Sequence, residues 1–363
     1  DFAQRMAMMA VAILIIPAVL FALGGPQTLS DGMSLLTPEQ ADLFSMDAIL
    51  KQGAPFFVAV LAYAIGNQTI SQRLFAVRED HIKPTFITAT IGYGAIVIGL
   101  GMIGLMALMT GMKPIDGDMN NLIPQMVSMY LSPVFIGLFF ILVIGSLSST
   151  ADSDLSAMSA IVMADVYGKN IAKNKPDPTK MLFIGRLTMI VATLIGVILA
   201  SFSMDILIML VFVGALWGAI VFPVIASCFW DRVTNLAFTS AVIAGLLMFC
   251  VARFELLPMA GFIAVLFELL AAVGGGVVLG LMTFGFCGRR VGLIVGALSA
   301  IGLAFLCVGF LRDYTVLLAS LMAYGVSTLV CIAVSLLGSS KFDFTQIDQN
   351  VINYDPAKTE AQA

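Results

Sequence analysis

The chain has 363 residues, 60% of them hydrophobic and only 11% charged, well outside the soluble globular average. A water-soluble fold could not hide that much apolar surface. The five cysteines lie in or beside apolar runs without CxxC or Cys/His spacing, so neither a disulfide framework nor a zinc site is indicated. The single histidine, His81, sits in a charged loop and leaves histidine-based catalysis almost nothing to draw on.

In chain order, about ten apolar runs are long enough to cross roughly 30 Å of hydrocarbon as helices. They are 6–23, 54–75, 84–110, 133–166, 182–203, 206–229, 234–252, 259–286, 291–311 and 314–337. Barrel strands are a poor alternative, because these runs are apolar on every face rather than alternating. Segments 24–53 and 167–181 are too polar to span, and the tail from Lys341 is polar, lacks periodicity and is expected to lie loose in solution. The chain begins at Asp1 without an initiator methionine. That reads as a truncation, since a signal peptide would show a short apolar core and a cleavage site.

The formal net charge of −4 says less than the placement of the cations, which gather on the cytoplasmic side of short loops. With the first span running outward, Arg5, Arg73, Arg78, Lys83, Lys169, Lys173, Lys175, Lys180, Arg186, Arg232, Arg289, Arg290, Lys341 and Lys358 fall inside. Only Lys51, Lys113, Arg253 and Arg312 fall outside. This asymmetry supports the count of spans in a multi-pass membrane protein and predicts a cytoplasmic C-terminus.

The densest polar cluster within a span is Gly145–Asp154 in the fourth run. At 100° per residue Ser146, Ser149, Thr150, Ser153 and Ala157 form one narrow stripe, with Asp152 on its flank. Such a stripe can serve close helix packing. A carboxylate in a membrane helix, however, costs at least about 2.5 kcal/mol and usually marks an ion or substrate path. Hydroxyls beside a carboxylate suit a hard cation. In the second run Gly66 beside Asn67 and Gln68 fits a broken helix whose unwound backbone faces a cavity. Tyr63 lies four residues before Asn67 on the same face; as a buried tyrosine it needs only a partner for its hydroxyl. Glu268 has no cation in its own span. Gly274-Gly275-Gly276 follows no strand and precedes no Lys-Ser/Thr, so it reads as close packing rather than phosphate binding.

Ser149-Thr150-Ala151-Asp152-Ser153, followed by Leu155-Ser156-Ala157 and closed by Ala164-Asp165-Val166-Tyr167, resembles the sodium-site helix of the sodium:solute symporter family. This is the family of sodium/proline, sodium/pantothenate and sodium/glucose-type carriers. Gly66-Asn67-Gln68-Thr69-Ile70-Ser71-Gln72-Arg73 is similar to its N-Q-x-x-x-Q-R segment, and Phe229-Trp230-Asp231-Arg232-Val233-Thr234 to its basic turn after the last core helix. The matches cover roughly residues 1–250.

The resemblance implies an all-α polytopic membrane protein, part of a five-plus-five inverted-repeat (LeuT-type) transporter fold that lacks its first core helices here. The implied division is a fifth core helix and extracellular loop over 1–53, the second inverted repeat over 54–230, accessory transmembrane helices over 231–340 and a polar cytoplasmic tail over 341–363. The implied sodium ligands are the carbonyl of Ser146 and the hydroxyls of Ser149 and Thr150, with further carbonyls from a first core helix. Asp1, Asp152 and Ser153 match a second sodium site found in some members. Tyr63 matches a gating aromatic, and Asn67 and Gln68 border the substrate. Sugar carriers place a lysine on the next helix, where this chain offers Thr85, Thr88, Thr90 and Tyr93, which argues against a sugar.

The expectation is sodium-coupled symport of a small polar solute by alternating access, with sodium as the coupling ion, no other cofactor and no nucleic acid. Its partners are the solute, sodium and the lipid bilayer. The rival reading is a transporter-like membrane sensor that binds a solute without net transport. An intramembrane enzyme is disfavoured, because no histidine or lysine in any span accompanies the serine cluster as a base.

Overall fold

Backbone polar groups in hydrocarbon must be paired within their own segment, so each long apolar run closes into a helix. The computed structural model describes residues 2–42, 44–173, 175, 177–202 and 206–345, and among them there is no strand. The helices are α1 (Phe2–Ala22), α2 (Pro26–Gly32), α3 (Pro38–Ala41), α4 (Met46–Ala48), α5 (Ala54–Gly66), α6 (Gln68–Phe75), α7 (Glu79–Met109), α8 (Leu122–Tyr130), α9 (Pro133–Ile161), α10 (Pro178–Ala200), α11 (Ile206–Phe229), α12 (Asn235–Arg253), α13 (Gly261–Cys287), α14 (Arg289–Cys307) and α15 (Thr315–Leu337). Among the described residues nine helical stretches are long and apolar enough to cross a membrane, and Met6–Ala22 is a shorter apolar helix. Along α10 the side chains of Leu182, Phe183, Leu187, Ile190, Leu194 and Ile198 are all exposed. An apolar face that large belongs in lipid rather than water. The chain is an all-α polytopic membrane protein.

Two compact units make up the chain. The first comprises Asp1–Ala48 and Asn67–Met209. Its core sets Ala12, Ile15 and Val19 of α1 against Ile103 and Met106 of α7, Met126 and Val127 of α8, and Phe139 and Leu142 of α9. The second comprises Ile49–Gly66 and Leu210–Ala363 and is built around α15, whose Leu318, Met322 and Tyr324 are fully buried. The Tyr324 hydroxyl donates to the Val58 carbonyl of α5 at 2.9 Å, which ties α5 to α15. Helices α13 and α14 approach closely where both carry glycine, since a Cβ at Gly280 would lie 2.8 Å from the Cα of Gly296. The triple glycine of α13 is a packing surface, as its sequence context implies.

Several expected boundaries shift. The run 54–75 is broken where Gly66-Asn67-Gln68 led one to expect it: Asn67 adopts extended backbone (φ −82°, ψ 122°) and caps α6 by accepting from the Thr69 N–H. Helix α7 starts at Glu79, so His81 lies in its first turn and not in a loop; Glu79 and Asp80 there suit the positive end of the helix dipole. The segment after 166 stays helical, winding as a π-helix over Val162–Ile171, with Lys169 paired to Asp165 at 2.6 Å across one turn. The polar stretch 24–53 contains α2, α3, α4 and a π-helical turn at Ile49–Gly53. The tail does not leave the protein at Lys341. Lys341 pairs with Asp231 at 3.5 Å and the Phe342 N–H donates to the Asp231 carbonyl at 2.6 Å. Residues 346–363 lie outside the described residues.

Candidate functional site

The hydroxyl stripe forms on α9 of the first unit. Thr150 Oγ1 donates to the Ser146 carbonyl at 3.1 Å, and Ser153 Oγ donates to the Ser149 carbonyl at 2.9 Å. Each is the back-bond of a helical hydroxyl to the carbonyl one turn earlier. Ser149 and Ser153 are half-buried, while Ser146, Thr150, Asp152 and Asp154 are exposed. A hydroxyl that donates its proton retains its acceptor lone pairs, so Thr150 and the Ser146 carbonyl offer adjacent oxygens to a cation. Asp1 lies outside the described residues.

Helix α6 approaches the same stripe. Arg73 Nη2 donates to Ser153 Oγ at 3.2 Å, which sets a guanidinium charge on one of the oxygens matched to a second sodium site. Sequence reasoning placed Arg73 in a motif but gave it no role. At the start of α6, Asn67 is buried, and its Oδ1 accepts from both the N–H and the hydroxyl of Thr69, at 2.7 and 2.6 Å. The neighbouring Gln68 is exposed. An asparagine cap of this kind typically contributes about 1 kcal/mol, so Asn67 holds the helix break in place.

Tyr63 belongs to the second unit, where its ring tilts against Trp217 with centroids 4.7 Å apart. The same indole limits Gly66, because a Cβ there would meet Trp217 Cβ and Cγ at 3.3 Å. Helix α5 ends at Gly66, and the extended ψ of Asn67 turns the chain that follows it.

Sequence reasoning also missed the partner of Glu268. This carboxylate is fully buried in α13 and accepts from the Gly309 N–H at 2.9 Å and from the Arg312 N–H at 3.2 Å. It pairs with the Arg312 guanidinium at 3.2 Å. The cation comes from the turn between α14 and α15, more than forty positions along the chain.

One long apolar helix ends just before a buried asparagine and another carries hydroxyls beside a carboxylate, features that occur in polytopic membrane carriers. A family model described as the sodium:solute symporter family matches residues 1–245, about two-thirds of the chain. The chain belongs to the sodium:solute symporter family.

Among curated relatives, a sodium/pantothenate symporter of Haemophilus influenzae is 22% identical over 251 residues, covering 68% of this chain and 51% of the relative. A high-affinity proline transporter of Bacillus subtilis is 23% identical over 259 residues, covering 68% of this chain and 52% of the relative. The chain spans about half the length of these curated relatives. No solved structure gives a significant match.

Proposed function

We propose that the protein carries a small polar solute across the plasma membrane together with sodium, by alternating access of a five-plus-five inverted repeat whose second repeat is 54–230. The carrying observation is the α9 stripe, where the Ser146 carbonyl and the Thr150 hydroxyl already touch beside half-buried Ser149. These three are the proposed sodium ligands. A desolvated cation needs about five or six oxygens, by extension from harder divalent ions, so others must join them from outside α9. Sodium between Ser146 and Thr150 would turn the Thr150 proton aside and free both oxygens at once. Asn67, Gln68 and Tyr63 are proposed to border the solute. The relatives' solutes, pantothenate and proline, both carry a carboxylate, and small carboxylate-bearing solutes are therefore the first to screen.

In this reading Asp1, Asp152 and Ser153 would hold a second sodium only after Arg73 leaves Ser153, because two cations do not share one hydroxyl without a large repulsive cost. The reading is tested by sodium-driven uptake in vesicles with the full-length protein. Alanine at Ser149 or at Thr150 should raise the sodium concentration for half-maximal uptake by about tenfold or more, since a bond to a charged group contributes roughly 1.5–3 kcal/mol. Ser148→Ala, off the stripe, should leave it in place. Unchanged sodium dependence in both stripe variants would remove α9 as the site.

The orientation proposed from the cations puts the C-terminus and the loop after α9 in the cytoplasm. In a background with the five free cysteines replaced, single cysteines at Lys173 and Lys113 should react with an impermeant reagent from opposite sides, Lys173 from the cytoplasmic one. Reaction of both from one side would reverse or break the topology.

A further inference from the structure

We propose that a lateral groove on the second unit holds one acyl chain of an anionic phospholipid, with the lipid phosphate held by the arginines at its mouth. The groove has a volume of about 420 Å³, within the roughly 300–1,000 Å³ of small-molecule sites. Its walls are the ends of α11 and α13, the beginning of α14 and the last turns of α15. The walls of α11, α13 and α14 run from the turns at 230–234 and 288 to about the middle of these helices, so the groove runs from that end of the unit inward.

Its depth fits a lipid. The wall from Val273 to Phe284 rises about 16 Å at 1.5 Å per residue, half of the roughly 30 Å hydrocarbon core and thus one leaflet. Its lining is apolar apart from Trp230 and Arg289 at the mouth and the Thr328 hydroxyl in the depth. Apart from that one hydroxyl nothing in the wall would hold a soluble polar ligand, and methylenes match the rest.

The mouth supplies the charge. Arg289 and Arg290 open α14, and Arg232 lies in the adjoining turn. Among the described residues none of the three has a carboxylate within ion-pair distance, while neighbouring Lys341 is taken up by Asp231. Gly288 caps α14 without a side chain, which leaves first-turn N–H groups and the positive end of the helix dipole open to an anion. Trp230 is half-buried at the same level, the depth at which indoles favour the headgroup interface. Charge, dipole and indole converge at one end of an apolar slot of leaflet depth, and a phospholipid with net negative charge is the ligand that uses all of them.

Trp217 and Trp230 are the two tryptophans of the chain, which provides a local readout. In the 363-residue chain carrying Trp217→Phe, reconstituted in vesicles, Trp230 reports alone. Phosphatidylglycerol brominated near the headgroup should quench it at a mole fraction about fivefold lower than phosphatidylcholine brominated at the same carbons, the ratio expected from about one effective arginine. Arg289→Gln with Arg290→Gln, both exposed and so harmless to folding, should bring the two lipids level. Ala297→Phe, which fills the slot, should weaken quenching by both. Equal quenching by the two lipids in the unaltered protein would overturn the proposal. So would Ala297→Phe quenching that matches the unaltered chain, or a dimer that Ala297→Phe dissolves, since the slot would then hold a second copy.

Discussion

Replacing Arg312 with alanine should destabilise the second unit by about 3 kcal/mol or more, because removing one partner of a buried ion pair strands the other charge. Glu268 has no exposed surface, whereas the Arg312 side chain is 37% exposed. The carboxylate therefore depends on its partner more than the guanidinium does. Two backbone N–H groups, of Gly309 and Arg312, would still reach it, which keeps the loss toward the lower end of the roughly 3–5 kcal/mol expected for such breaks. Glu268→Gln combined with Arg312→Ala should recover part of that loss, because the neutral amide no longer needs a cation. Thermal unfolding of the three variants in detergent decides the matter. A double variant as unstable as the sum of the two single changes would show that Arg312 stabilises by packing along its stem and not by its charge.

The ion pair also shows where reading the sequence stops. The spans were legible because length and apolarity are local properties, and the all-helical fold follows from the lack of water to satisfy an unpaired backbone. Glu268 has no cation in its own span, and the turn that supplies Arg312 returns to it through α14. Arg73 and Ser153 are 80 positions apart and meet for the same reason. The α9 stripe was visible because helical periodicity alone aligns Ser146, Ser149, Thr150 and Ser153. What periodicity does not show is the continuation past 166, where Lys169 and neighbouring polar residues look like a loop and yet extend the helix as π turns. Asn67 lies between these cases. Its type and its neighbour Gly66 pointed to a break, but that the asparagine itself caps the second helix follows only from its extended backbone and its contact with the Thr69 N–H.

The largest steric effect is expected where α13 crosses α15. A Cβ on Gly274 would fall on the carbonyl oxygen of Leu321 and 3.0 Å from the Gly325 nitrogen. A Cβ on Gly325 would fall on the carbonyl of Leu270 and 3.0 Å from the Gly274 nitrogen. The obstacles are backbone atoms in helices, which cannot rotate away as a flexible side chain could, so one added methyl must push two helices apart along a fully packed face. Overpacking of ordinary cores costs about 1–3 kcal/mol, and a backbone-to-backbone clash belongs at or above the top of that range. Alanine otherwise favours a helix over glycine by about 1 kcal/mol, so the packing loss must exceed this gain before any destabilisation is seen. Gly285, farther along α13, isolates that gain, because a Cβ there meets nothing within 4 Å. Gly274→Ala and Gly325→Ala should each lower the unfolding temperature markedly, while Gly285→Ala should leave it unchanged or raise it. If all three alanines behaved alike, helix propensity and not close approach would govern α13, and the reading of its glycines as a packing surface would be lost.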